Sequence, residues 1–201
     1  MTTIAIPQSP AVSQDGRLIE RFMPHADITE RHEIIIRAPA NVVFDVAERF
    51  NLRSIPLIRA IFWLRAKLLG ATPPESGLFA KGLVAETLAL GWGELARRPG
   101  RQLIMGAAAQ PWRANVTFTP IPPQRFADFA EPDLVKIVWT IEAEPLRPDL
   151  TRFRTETRVL ATDAGAGAKF RRYWRVFGVG IVLIRWLLLP AVRREAERAR
   201  L

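Results

Sequence analysis

Few side chains in this 201-residue chain are of types that do chemistry unaided. There is no cysteine, which removes thiol nucleophiles, CxxC redox centres, thiolate zinc sites and disulfide scaffolds, and favours a reducing compartment. His25 and His32 are the only imidazoles. Two histidines cannot complete a three-histidine zinc site, although one beside carboxylates can act as a base or a weak metal ligand. His32 stands between Arg31 and Glu33 in a strand pattern and reads as a surface residue, while His25 lies in a proline-containing leader. Glu86 and Glu94 are candidate buried acids, but neither has a paired base or a metal set beside it. Gly165-Ala-Gly167 lacks the third glycine and the βαβ context of a phosphate-binding turn, and GxxxxGK[ST], HExxH, GxSxG and EF-hand patterns do not occur. No catalytic residue, metal or cofactor is therefore expected.

What remains is suited to binding by burial. Six tryptophans stand against one tyrosine, and Trp112 and Trp139 fall at inward positions of strand patterns. Aromatic rings offer large apolar contact area to flat or acyl ligands. Thr155 and Thr157 bring two hydroxyls into an otherwise apolar wall, where they need partners. Their ordinary partner is a neighbouring backbone group or a buried water; the alternative is the polar head of a ligand. Tyr173, Phe177, Ile181 and Ile184 recur at i, i+4, i+8 and i+11 and form one helical stripe, for which core packing is the bland explanation.

The elements that must position these residues are legible in part. With 49% apolar and 24% charged residues the composition is globular, and the length fits a single domain, here residues 28–201 behind a leader over 1–27. Met1–Pro10 has no secretory-signal pattern, so a cytoplasmic location is expected. Residues 31–37 have strand composition. Helices are expected over 41–50, with Asp45, Glu48 and Arg49 on the wet side, and over 54–69, with Ser54 as cap, Pro56 in the first turn and Gly70 with Pro73-Pro74 ending it. From Leu78 the texture becomes short segments broken by glycine and proline. Strands are expected over 92–97, 102–109, 112–119, 134–143 and 152–160, with turns at 98–100 and 145–149. In the fourth, Lys136, Thr140 and Glu142 should face away from Val135, Ile137, Trp139 and Ile141; in the fifth, Arg152, Arg154, Glu156 and Arg158 should lie outside. Asp163 should cap a long helix over 163–200, which Pro190 should kink or split.

Charge is concentrated at the C-terminal end. The net charge is +9, yet residues 1–168 carry 20 Lys/Arg against 18 Asp/Glu, while residues 169–201 carry 9 against 2. A nucleic-acid module interleaves basic, polar and aromatic groups, whereas here they flank an apolar run, so no nucleic-acid partner is expected. Val176–Leu189 holds fourteen residues with one charge, Arg185. At 1.5 Å per residue this is about 21 Å, short of the ~30 Å of a hydrocarbon core. A helix apolar nearly all round must bury its second face against the small helices, a second subunit in a homodimer, or a membrane surface, the last peripheral to the inner membrane face.

The order strand, two helices, antiparallel strands, long terminal helix is an α+β arrangement. Within it, Arg31-His-Glu-Ile-Ile-Ile-Arg-Ala-Pro-Ala-Asn-Val-Val-Phe-Asp-Val resembles the first strand and helix of the START-like, or SRPBCC, superfamily, which contains polyketide cyclases, aromatases and lipid-transfer domains. Thr155-Glu-Thr-Arg-Val and Phe170-Arg-Arg-Tyr-Trp are similar to the last strand and terminal helix of uncharacterised bacterial members, so that the resemblance covers about residues 28–200. It implies a helix-grip fold, a curved antiparallel sheet wrapped around the C-terminal helix with a hydrophobic cavity between them. In such a fold one helix face is both core and ligand lid, and Trp112, Trp139, Thr155, Thr157, Tyr173, Phe177 and Ile181 become ligand-binding candidates for a hydrophobic small molecule or lipid. The alternative it implies is a cyclase or aromatase acting through a buried carboxylate or histidine.

Overall fold

The structure is a computed structural model that describes residues 17–71 and 82–200. Pro73-Pro74 and the change of texture at Leu78 lie outside the described residues, as does most of the leader. In chain order the elements are α1 (Arg17–Glu20), β1 (Ile28–Ile36), α2 (Ala40–Arg49), α3 (Pro56–Leu69), α4 (Leu83–Ala89), β2 (Gly93–Arg98), β3 (Gln102–Ala109), β4 (Phe118–Thr119), α5 (Pro123–Phe126), β5 (Val135–Arg147), β6 (Leu150–Ala161) and α6 (Ala164–Ala199). The strands form one curved six-stranded antiparallel sheet in the order β1-β6-β5-β3-β2, with β4 paired to β3, and α6 lies against it. This is the α+β, helix-grip architecture expected above.

Local chemistry explains most boundaries. Asp163 caps α6, its Oδ1 accepting from the Ala166 amide at 2.8 Å, as its short acceptor side chain before small residues suggests. α3 begins with Pro56 and ends at Gly70, whose φ of +66° glycine adopts without strain. Ser54, however, does not cap α3: it closes a single turn over Leu52–Ser54, donating from Oγ to the Asn51 carbonyl at 2.7 Å. α6 runs unbroken through Pro190. Pro190 and Trp186, the residue four positions before it, are both exposed, so the break in the hydrogen-bond ladder falls on the outer side of the helix.

Other expectations are corrected. The strand expected over 112–119 is reduced to Phe118–Thr119, because the carbonyls of Pro111 and Arg113 are taken by the Arg65 guanidinium at 3.1 and 3.4 Å instead of by a neighbouring strand. Leu83–Ala89 is a helix, not part of a hairpin run, and is bounded by Gly82 and Gly91 at positive φ. The β5–β6 strands extend past Pro145 and turn only at Pro148-Asp149.

The largest correction concerns the outer face of the sheet, which is not wet. Ile19, Phe22 and Met23 pack with Leu95, Ile104, Phe126 and Val138 into a second apolar cluster there, so the central strand β5 is buried on both sides. Lys136, Thr140, Glu142, Arg154 and Glu156, expected outside, are buried as well. They are compensated: Lys136 Nζ donates to the carbonyls of Phe126 and Ala127 at 3.2 and 2.7 Å. Arg154 reaches Glu33, Glu142 and Glu144 at 3.1, 3.1 and 3.5 Å.

Gly106 marks the tightest point of this outer cluster. A Cβ there would stand 2.5 Å from Leu95 Cδ1 and 2.6 Å from Phe126 Cε2. Overpacking of this kind costs ~1–3 kcal/mol. Gly106→Ala is therefore expected to lower stability by about that amount in urea unfolding; an unchanged midpoint would show the cluster to be loose.

Candidate functional site

The inner face is read directly from strand register. Glu30 pairs with Thr157 and Trp139 with Thr157, while His32 pairs with Thr155 and Ile141 with Thr155. Residues opposite one another in a ladder share a face. Two adjacent rows therefore carry Glu30, Thr157 and Trp139, and His32, Thr155 and Ile141, toward α6. Arg185 of α6 lies over them. Its guanidinium donates to Thr155 Oγ1 at 2.6 Å and to Thr157 Oγ1, and the Trp139 indole N–H also donates to Thr155 Oγ1, at 3.2 Å.

These groups form a polar belt between two apolar clusters. On one side Ile36, Leu103, Ile141, Phe153, Leu188 and Val192 close a core in which those four sheet residues are 0% exposed. On the other, Val135, Val159, Phe170 and Tyr173 are buried, but Ile28, Ile137, Trp112 and Phe177 around them are only half-buried. Glu30 and His32 share that partial exposure, as does Ile181. The inner face is thus sealed on the α6 C-terminal side of the belt and incompletely covered on the other.

Arg185 is electrostatically anomalous. Burial pushes its pKa down from the ordinary arginine value to about 10, with the Glu30 carboxylate opposing the shift. No carboxylate among the described residues is ion-paired with it, and its Nε is buried without a hydrogen-bond partner. Holding such a cation at neutral pH costs of order 3 kcal/mol. Beside it, His32 Nε2 and Glu30 Oε2 are 3.4 Å apart but not aligned for a hydrogen bond, which leaves the imidazole nitrogen buried and unpartnered. The belt can accept an anionic or hydrogen-bond-accepting group, and it sets an imidazole and a carboxylate on the same face.

The sequence candidates are distributed around this belt. Trp139, Thr155 and Thr157 are in it. Tyr173 and Phe177 stack at 5.0 Å on the half-open side, and Trp112 joins their cluster from a turn, not from the expected strand, with Lys169 Nζ 5.9 Å from its ring. Arg65 fixes this end, donating from Nε to Tyr173 Oη at 3.2 Å. Ile181 is half-buried one turn before Arg185. Of the carboxylates, Glu86 is buried in α4 with its pKa raised by burial against an opposing Arg53, and Glu94 pairs with Arg97 at 2.9 Å near the surface. Neither belongs to the belt. His32 is not the surface residue expected, because β1 alternation turns Arg31 and Glu33 outward and His32 toward the helix. Arg185 was legible only as the lone charge of an apolar run, yet it continues the Tyr173, Phe177, Ile181 stripe by one more i+4 step.

No family model matches the chain, and no curated protein matches it. Among solved structures, a conserved protein from Geobacillus kaustophilus aligns over 87% of this chain and 98% of its own at 12% identity and a TM-score of 0.37. A hypothetical protein from Helicobacter pylori covers 96% and 99% at 13% identity and 0.38. The Zhui aromatase/cyclase from Streptomyces sp. R1128 covers 85% and 94% at 13% identity and 0.28. Likenesses this remote say nothing of ligand or activity.

Two substitutions separate cost from support in the belt. Arg185→Met removes the buried charge and is expected to leave stability unchanged or raise it, as replacement of buried ions by apolar groups often does by ~1–4 kcal/mol. Thr155→Val, which orphans the Trp139 indole and removes one of the two acceptors of Arg185, should lower stability by ~1–3 kcal/mol. The folded protein holds the Arg185 proton less tightly than the unfolded chain, so the cost is complete below pH ~10 and is relieved as pH rises from there toward the ordinary arginine value. The gap between wild type and Arg185→Met should accordingly be flat at lower pH and narrow above about 10. A gap independent of pH there would mean the guanidinium is not desolvated.

Proposed function

We propose that this protein is a START-like binding domain that holds a hydrophobic small molecule or lipid between its sheet and α6, with the ligand's acidic or hydrogen-bond-accepting head at Arg185. The observation that carries the reading is a buried guanidinium without an ion-pair partner, forked onto two threonines, at the border of the incompletely covered half of the inner face. A buried cation held only by neutral hydroxyls is characteristic of a recognition group. The apolar body of the ligand would meet Trp112, Tyr173, Phe177 and Ile181. At roughly 25 cal/mol per Å2, covering a few hundred Å2 of apolar ligand contributes several kcal/mol before entropy costs, enough for micromolar affinity. Affinity then comes from burial and selectivity from the belt.

One observation favours a second reading, a cyclase or aromatase acting on an aromatic or polyketide-like substrate. His32 and Glu30 adjoin Arg185 on the same face. An imidazole near a carboxylate can take a proton next to a substrate carbonyl while a guanidinium holds the oxygen on which charge develops.

Native mass spectrometry of the purified protein, with organic extraction of any adduct, tests the binding reading directly. Oleic acid and methyl oleate then test the belt. The acid is expected to bind at least about tenfold more tightly, and Arg185→Met should erase the preference while leaving ester affinity unchanged. Absence of binding by either probe together with a ligand-free mass would overturn the proposal, and equal affinity for acid and ester would remove Arg185 from recognition.

A further inference from the structure

Two helices carry apolar surface that the described residues leave uncovered. In α3 only Ile58 is buried, while Trp63 is 62% and Leu68 61% exposed. On the outer side of α6, Val176, Val179 and Trp186 are 63%, 75% and 66% exposed, along a shallow groove of about 530 Å3 that also includes Val182 and Leu183. The helices meet where Ile61 Cγ2 would stand 3.1 Å from a Cβ at Gly180, so their exposed faces adjoin. Exposed patches of this kind mark interaction sites.

The charge around them has one sign. Residues 49–70 contain five Lys/Arg and no Asp/Glu, and residues 164–194 contain seven Lys/Arg and no Asp/Glu. On α6 the exposed stripe begins at Arg171, Arg172 and Arg175 and resumes at Arg193 and Arg194. From Arg175 to Arg193 the helix rises about 27 Å, an apolar band bounded by cations at both ends. A second copy docked face to face would bring these cations together. An anionic surface would neutralise them, and long basic side chains reach from an apolar bed to headgroups. Trp63, with Lys67 Nζ 5.0 Å from its ring, and Trp186 are the amphipathic aromatics that settle at a bilayer interface.

We propose that the adjoining outer faces of α3 and α6 dock on an anionic lipid surface. α6 is long and apolar enough to cross a membrane by length and composition. Its other face, through Phe170, Tyr173, Arg185, Leu188 and Val192, is buried against the sheet. In this fold it therefore lies along the interface and does not traverse it. The docking face is separate from the inner-face belt and does not depend on what the belt binds.

Vesicle flotation of the full chain tests this, using phosphatidylcholine alone and phosphatidylcholine with roughly one-third phosphatidylglycerol. Binding to the anionic vesicles is expected to exceed binding to the neutral ones by at least about tenfold, and to be released at ~0.5 M salt. Val179→Asp combined with Trp63→Asp alters only exposed positions, and should abolish flotation while urea unfolding and oleic acid binding stay unchanged. Arg185→Met should float like wild type, which distinguishes docking from ligand capture. No flotation, or equal flotation on neutral vesicles, would overturn the proposal. So would a solution dimer that the Val179→Asp, Trp63→Asp variant dissociates, since a second copy would then be the occupant.

Discussion

A single desolvated cation governs how α6 sits on the sheet. The two ends of the Arg185 guanidinium reach threonines two residues apart on β6, so the contact fixes both the height of the helix over the sheet and its position along the strand. The ends of the helix are held separately. At the N-terminus Asp163 accepts from Ala166 and, through Oδ2, from the Asp133 amide at 2.6 Å. At the C-terminus Glu197 accepts from the Arg37 amide at 3.1 Å, and Arg200 donates back to the Arg37 carbonyl at 2.8 Å. Those two anchors lie in exposed positions and join loops to helix ends. Only the central one lies inside, and it separates a sealed core from a half-open one.

The two faces of the sheet handle buried charge in opposite ways, which distinguishes structure from site. Burial works against the Arg154 cation, yet Glu142, Glu33 and Glu144 more than offset it, so its pKa stands above the ordinary arginine value. Lys136 on the same face loses to burial but has two carbonyls as acceptors. Arg185 has hydroxyls in place of carboxylates, and burial wins. Arg185 is the more deeply desolvated of the two arginines and also has the weaker partners, so both causes act in the same direction. A charge complemented within the chain supports the fold. A charge left with neutral partners retains attraction for an anion from outside.

Residues with local rules were legible in the sequence. The α2 apolar stripe, Pro56 at the start of α3, the Asp163 cap and the order of the long strands each follow from periodicity or capping chemistry. What failed depended on tertiary cover. Lys136, Glu142 and Arg154 alternate as a wet face should, and nothing local shows that α5 caps Lys136 or that Glu142 and Arg154 are buried as a pair. His32 was misread for the complementary reason: its charged neighbours suggested a surface, while a shift of one residue in β1 decides which side chains turn inward. Within the site, Trp139 and the two threonines follow from alternation alone, but Arg185 needs the phase of α6 over β6, which is a packing relation.

The composition of α6 cannot be explained by its inward face alone. Covering the sheet requires one stripe, supplied by Phe170, Tyr173, Leu188, Val192 and Ala196. Val176, Val179, Val182 and Trp186 add little to that core, and β-branched residues are poorer helix formers than the Glu, Lys or Gln that would solvate an exposed face. Near its two ends the same outer stripe carries arginines, so polar side chains are sterically acceptable there. Apolarity is restricted to the middle of the helix, where it is least needed for folding and least favourable in water. A second contact outside the fold is the constraint that accounts for both faces of the helix at once.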